Sequence, residues 1–278
     1  MGHAVTAVAP DRRAWLALLD GGEVVRVHGD EVDPLGTVTD ETPRCLLPFD
    51  GAVLVGTASA RLARIADGAV EMLRSFDDAE GRDGWYTPWG GPPDTRSLGA
   101  SGDGHVFANV HVGGILRAED PGSTWTPTID IDSDVHQVLT DPLDPNHVVA
   151  ATALGLAESR DAGDTWEFST DGLHASYARA VALDGDRLFL STSTGPRGGR
   201  AAVYRREPRA TAFEKVEGGL PEWFGGNIDS HRLVAGGGTV LVGTEDGRVF
   251  LSEDGGGSWG EESAGLAGVS AAAVAASA

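Results

Sequence analysis

AEDPGSTW (118–125), SRDAGDTW (159–166) and SEDGGGSW (252–259) are three copies of one short motif. Each places an Asp, a Gly, a Ser or Thr, and a Trp at matching offsets, so each asks for the same small turn. The carboxylates of Asp120, Asp161 and Asp254 can accept backbone N–H bonds inside that turn, and the Gly supplies a position of positive φ. Trp125, Trp166 and Trp259 then open a strand and offer a large flat surface for burial against a neighbouring sheet. These six residues read as structural staples, not as ligand contacts.

Between the motifs one pattern recurs: an apolar strand, a tight turn, a V-x-V-x-T-like strand, a Gly turn, then two further strands. The second-strand segments are AWLAL (14–18), AVLVGT (52–57), HVFANV (105–110), HVVAAT (147–152), RLFLST (187–192) and TVLVGT (239–244). Apolar runs of this length bounded by DG, GD or GG fit strands, and no long amphipathic helical pattern competes. Trp125 and Trp166 stand 41 residues apart and Trp166 and Trp259 stand 93 apart, one and about two periods of a four-stranded blade. The blade between the last two has lost its motif. The expectation is an all-β chain forming a single β-propeller of six four-stranded blades over residues 1–278, with seven blades as the alternative. The blades fall near 3–41, 42–80, 94–131, 134–172, 177–218 and 230–268. Residues 269–278 and HAVTAV (3–8) both resemble an innermost strand; one of the two is surplus, the other closing the ring.

The motif resembles the Asp-box, or BNR repeat, of sialidase-like β-propellers. That resemblance implies the propeller fold and, in the sialidases, an Arg triad, a Tyr with a Glu partner and an acid/base Asp. Arg44, Arg96 and Arg179 could imitate the triad and Tyr177 the nucleophile. The Arg-Ile-Pro motif usual near the start of those enzymes is absent, so a sialidase-like glycosidase ranks third among the readings.

Composition narrows the classes further. A 278-residue chain of 28.8 kDa can bury about three quarters of its unfolded surface without a disulfide. Cys45, in PRCLLPF, is the only cysteine, which excludes an intrachain disulfide and a zinc ribbon. A formal charge of −21 argues against nucleic acid as a partner and for solubility. The start, MGHAVTAVAPDRRAW, has no basic segment followed by a long apolar run, so no membrane partner is expected and the location expected is cytoplasmic.

Propeller topology sorts the remaining residues. Connections from an outer strand to the next inner strand share one face with the ends of the second strands, whereas the Asp motifs lie on the other. The first face collects Trp85, Tyr86 and Trp89 before blade three, and His111 after its second strand. Asp132, Asp134 and His136 enter blade four, His174 and Tyr177 enter blade five, and Trp223, Asn227, Asp229 and His231 enter blade six. Arg197 and Arg200 overhang from a long loop of blade five, which also carries the irregular GPRGGR stretch. With the second strands in register, Arg44, Arg96, His136, Arg179 and His231 start successive inner strands. They either pair with carboxylates such as Asp94, Asp134 and Asp229, or form a pocket for an anion, since guanidinium forks suit carboxylate and phosphate.

Two function classes follow. The favoured one is a hydrolase or lyase for a small anionic or carbohydrate-like ligand, with His136, His174, Asp229 and Tyr177 as catalytic groups. Arg44, Arg96, Arg179, Trp85, Trp89, Trp223, Asn227 and His231 would hold its substrate, the aromatics facing sugar rings. His111, His136 and His174 are candidate ligands for a divalent transition metal such as zinc, the alternative being three independent hydrogen-bonded histidines. The second class is a non-catalytic propeller binding a peptide or protein partner, similar to the photosystem-assembly and sortilin-type members of the same group.

Overall fold

The computed structural model describes residues 3–88 and 90–275. Six four-stranded sheets follow one another along the chain, each strand pairing with its sequence neighbour. They run from Val5–Asp11 to Glu31–Thr37, Pro43–Phe49 to Ala69–Met72, Thr95–Ala100 to Thr126–Pro127, Val135–Thr140 to Glu167–Ser169, Tyr177–Asp184 to Glu214–Lys215, and Leu233–Gly236 to Gly260–Ser263. The protein is a six-bladed β-propeller. Among the described residues, helix is confined to the single turn Arg74–Asp77 and the 3₁₀ turns Arg82–Gly84 and Ile131–Ser133, none of which could cross a membrane.

All six second strands lie within one residue of their expected ends. Their continuity explains this: Ala52–Thr57, Val106–Val110 and Val148–Thr152 are buried at every position, so apolar residues on both faces leave a strand no exposed side to frustrate it. The chain divides into two compact units, residues 1–148 with 160–165, and residues 149–159 with 166–278. In the first, Leu54, Phe76, Val106, Leu116 and Trp125 form one cluster and Leu16, Leu18, Val53, Val55 and Ile65 another. In the second, Phe189, Val203, Phe224, Val240, Phe250 and Trp259 pack together.

The three Asp turns form by the expected chemistry, with one exception. Asp254 Oδ1 accepts from the backbone N–H of Gly257 and Ser258 at 2.9 and 2.8 Å, and Oδ2 from the Ser258 hydroxyl at 2.7 Å. Asp161 does the same with the N–H and hydroxyl of Thr165, at 2.8 and 2.6 Å. Both turns use two successive left-handed residues, Ala162 with Gly163 and Gly255 with Gly256. The first copy cannot: Pro121 fixes its own φ near −65°, and Gly122 does not take a positive φ, so Asp120 bonds instead to the N–H of Gly122 at 2.8 Å and the hydroxyl of Ser123 at 2.5 Å. The tryptophans also differ. Trp125 is 0% exposed and Trp259 8%, but Trp166, expected to be buried, is mostly but not fully so.

At the termini the surplus strand is the C-terminal one. Val5–Asp11 is the inner strand of the first sheet, whereas residues 269–275 form no assigned strand. They run beside blade six, with the Val269 N–H donating to the Thr244 carbonyl at 3.0 Å and the Ala272 N–H to the His231 carbonyl at 2.8 Å. Residues 276–278 lie outside the described part.

Candidate functional site

Three of the rim residues occupy one equivalent and unusual place. Pairing between the first two strands of blades two, three and five skips one residue of the inner strand in each case, and the residue skipped is Arg44, Arg96 or Arg179. Thr6 takes the same place in blade one. A β-bulge leaves its extra residue without a cross-strand partner and re-aims its side chain. His136 is the second residue of its inner strand, and His231 precedes its own by two residues, at φ 65°.

In the first unit the bulged arginines meet carboxylates. Arg44 Nε lies 3.8 Å from Asp94 Oδ2, and an Arg96 terminal nitrogen lies 3.4 Å from Asp94 Oδ1 and 2.9 Å from His111 Nδ1. A guanidinium can only donate, so this contact makes Nδ1 of His111 the acceptor and puts the ring proton on Nε2. That proton faces Asp134 Oδ1, 3.1 Å away, and the other carboxylate oxygen lies 3.6 Å from His136 Nε2. The two imidazoles stand 5.7 Å apart between centroids.

Local sequence sets this placement. Asp130 accepts the Asp132 N–H at 2.8 Å and so caps the 3₁₀ turn Ile131–Ser133, and Asp134 ends that turn in a left-handed conformation, directly before the inner strand that carries His136. Burial raises the Asp134 pKa, but hydrogen bonds from His111 and His136 outweigh it and hold the carboxyl far below the usual carboxylate range. Asp134 was expected only as a partner for arginine; the structure makes it the centre of the group. The aromatics before blade three are less available. Trp85 is half-buried against Phe76, with Arg82 stacked 4.8 Å from its ring. Tyr86 is exposed and reaches Asp132 at 3.4 Å, and Trp89 lies outside the described residues.

In the second unit Asp229 is held by two arginines, Arg179 at 2.5 and 2.6 Å and Arg232 at 3.5 Å. Burial lowers the Arg179 pKa, but Asp229 and then Tyr177 more than restore it. The Tyr177 hydroxyl lies 3.4 Å from the same guanidinium. Each of the three bulged arginines thus faces a protein carboxylate.

His174 belongs to an aromatic clamp. Its Nδ1 is 2.7 Å from the Tyr204 hydroxyl, its ring also hydrogen-bonds the Arg200 backbone, and it packs 4.8 Å from Trp223. Burial and then the Arg200 charge lower its pKa, which favours the neutral imidazole. Arg200 and Lys215, the chain's only lysine, both stack on the Trp223 indole, at 4.4 and 3.8 Å from its centroid. These contacts give His174 partners other than a metal.

Beside the clamp is a cavity of about 300 Å³ lined by Trp223, Phe224, Gly225, Gly226, Asn227, Thr244, Glu245, Asp246 and Arg248. Two of these, Trp223 and Asn227, were expected ligand contacts. Asn227 donates to the Gly195 and Pro196 carbonyls, at 3.4 and 3.2 Å, which ties it to the long loop of blade five. The turn 244–248 was missed. T-E-D-G-R reads as an ordinary tight turn, although the rule that second strands end on the mouth face would have placed it there. Arg248 is held by Glu261 at 2.8 and 2.9 Å and also feels Asp246, which accepts from the Thr244 hydroxyl; Glu245 is the second carboxylate of the lining. Cys45 takes no part: it is buried, and burial pushes its thiol up to about 12, where no reactive thiolate forms at neutral pH.

The fold is shared with known propellers. A GH74 enzyme of Niastella koreensis superposes with a TM-score of 0.67 at 15% identity, over 94% of this chain and 45% of its own. An ancestral GH74 enzyme gives 0.62 at 17% identity, over 90% of this chain and 35% of its own. YCF48, solved bound to a D1 peptide, gives 0.64 at 16% identity, over 94% of this chain and 82% of its own. The chain therefore spans less than half the length of either GH74 enzyme. No family model matches the sequence, and no curated protein does.

Proposed function

We propose that the chain is a hydrolase-type propeller that binds a small, neutral, carbohydrate-like ligand in the blade-six cavity. The observation behind this reading is the lining, which brings the edge of Trp223, an indole already stacked by Arg200 and Lys215, together with the Asn227 amide and the carboxylates of Glu245 and Asp246 around one cavity. Apolar ring faces and polyol hydroxyls ask for that combination. At about 300 Å³ the cavity holds roughly ten water volumes, which suits one sugar ring better than a long chain. A neutral ligand is favoured over an anionic one, because the rim arginines face Asp94 and Asp229, and the cavity's one arginine, Arg248, is already held by Glu261. The likeness to GH74 enzymes supports a hydrolytic reading, in which Glu245 is the candidate acid/base carboxylate and Asp246, which accepts from the Thr244 hydroxyl, its neighbour. The three Asp turns support kinship with the Asp-box propellers.

The test is calorimetric titration of neutral mono- and oligosaccharides, followed by assay of aryl glycosides of those that bind. Trp223→Ala should weaken binding at least about tenfold through lost ring contact. Glu245→Gln should leave affinity within about threefold and lower turnover by roughly a hundredfold or more. A second reading, a peptide groove, is favoured by the near-complete mutual overlap with peptide-bound YCF48. Saturable binding of peptides but of no saccharide would replace the first reading with the second.

A further inference from the structure

His111, Asp134 and His136 bring two imidazoles and a carboxylate together in the first unit, and their ligand atoms all lie within 4.8 Å of one another. We infer that these three residues form a binding site for one divalent transition-metal ion, with zinc the best match. The donor set decides the class: magnesium and calcium take oxygen ligands, whereas imidazole paired with carboxylate suits zinc and its neighbours. Ligands about 2.0 to 2.1 Å from a tetrahedral ion stand roughly 3.3 Å from each other; the two imidazoles lie 3.1 and 3.6 Å from the two different oxygens of Asp134, and the whole set, within 4.8 Å, has to close slightly on an ion.

Burial agrees as well. The His111 and His136 side chains are 4% and 0% exposed, but Asp134 is 29% exposed. The imidazoles therefore wall the ion from beneath, and the carboxylate flank leaves a coordination position open to solvent. Ligating histidines are commonly steadied by a carboxylate on the ring nitrogen away from the metal. Asp94 is placed for that, its Oδ1 3.6 Å from His111 Nδ1. With an ion on Nε2, His111 carries its proton on Nδ1, so the Arg96 N–H that now lies 2.9 Å from that nitrogen has to swing away toward Asp94, 3.4 Å from it, and leave the ring proton to Asp94. An ion adds positive charge to a chain of formal charge −21, so long-range attraction favours it.

The experiment uses the full chain, treated with chelator and dialysed, then titrated with zinc by calorimetry and with cobalt by absorption spectroscopy. The expected result is about one ion per chain, micromolar or tighter affinity, and cobalt d–d bands typical of four-coordination by nitrogen and oxygen. Asp134→Asn should weaken zinc by at least about a hundredfold, and Asp94→Asn by roughly ten- to a hundredfold, the range for a supporting carboxylate. Both variants keep side-chain shape, and the melting temperature of each metal-free variant reports separately on folding. Zinc should raise the parent's melting temperature by mass action and leave that of Asp134→Asn unmoved. The inference is overturned if the parent shows no saturable binding, or if folded Asp134→Asn and Asp94→Asn bind zinc as the parent does; the three side chains are then a hydrogen-bonded network only.

Discussion

Truncating the two tryptophans that close sister copies of the Asp motif should have unequal effects, although the motif treats them alike. Trp125 is 0% exposed, meets Phe76 edge-on at 5.0 Å between centroids, and donates its indole N–H to the Pro121 carbonyl at 3.3 Å. Burying about 200 Å² of Trp surface at ~25 cal/mol/Å² gives about 5 kcal/mol, at the top of the range of about 3 to 5 kcal/mol measured for aromatic-to-Ala changes in cores. Trp166 is mostly but not fully buried, so the same arithmetic gives Trp166→Ala a smaller loss, about 3 to 4.5 kcal/mol. Trp125→Phe, which keeps the ring contact and loses the hydrogen bond, should cost about 1 to 2 kcal/mol. Urea unfolding followed by circular dichroism measures all three on one chain, and scanning calorimetry should place the Trp125→Ala variant a few °C below Trp166→Ala. A loss for Trp166→Ala as large as that for Trp125→Ala, or larger, would refute the reasoning, because burial would then not govern the motif's contribution.

Three further outcomes follow from the charged groups. The Ser258 hydroxyl and N–H, with Ser252 and Gly257, lower the pKa of Asp254. Its contribution is therefore present in full above the unfolded value of about 3.9 and is lost as pH falls through the lower folded value. The stability gap between the parent and Asp254→Asn should narrow below about pH 4; a gap constant from neutral pH to pH 2 would show that the carboxylate's ionisation is irrelevant to the turn. Arg179→Ala leaves Asp229 with Arg232 alone, at 3.5 Å, and should lose about 1.5 to 3 kcal/mol, the worth of charged hydrogen bonds. Citrate, compared with chloride at equal ionic strength, should leave the parent's melting temperature unchanged. A rise abolished in Arg179→Ala would restore the arginine rim as an anion site.

The sequence alone determined what short-range chemistry controls. Continuous apolar runs of five or six residues bounded by Gly turns specify buried strands wherever the rest of the chain goes, so the six second strands and the blade count were readable from it. The Asp turns were readable too, because donor and acceptor lie within four residues of each other. Register reached one step further, aligning Arg44, Arg96 and Arg179, which the structure places in equivalent bulges. The tertiary structure decided which partner each side chain meets, since those partners are remote in the chain. Arg179 finds Asp229 across 50 residues, His174 finds Tyr204 across 30, and His111 faces a carboxylate in the next blade's connection. It also decided that Trp125 is enclosed and Trp166 partly open, because Phe76, which covers Trp125, belongs to the helical turn Arg74–Asp77, outside the local pattern of either motif. A turn closes on neighbouring atoms, but a pocket or a metal centre closes on atoms that strand register and loop length must first bring together.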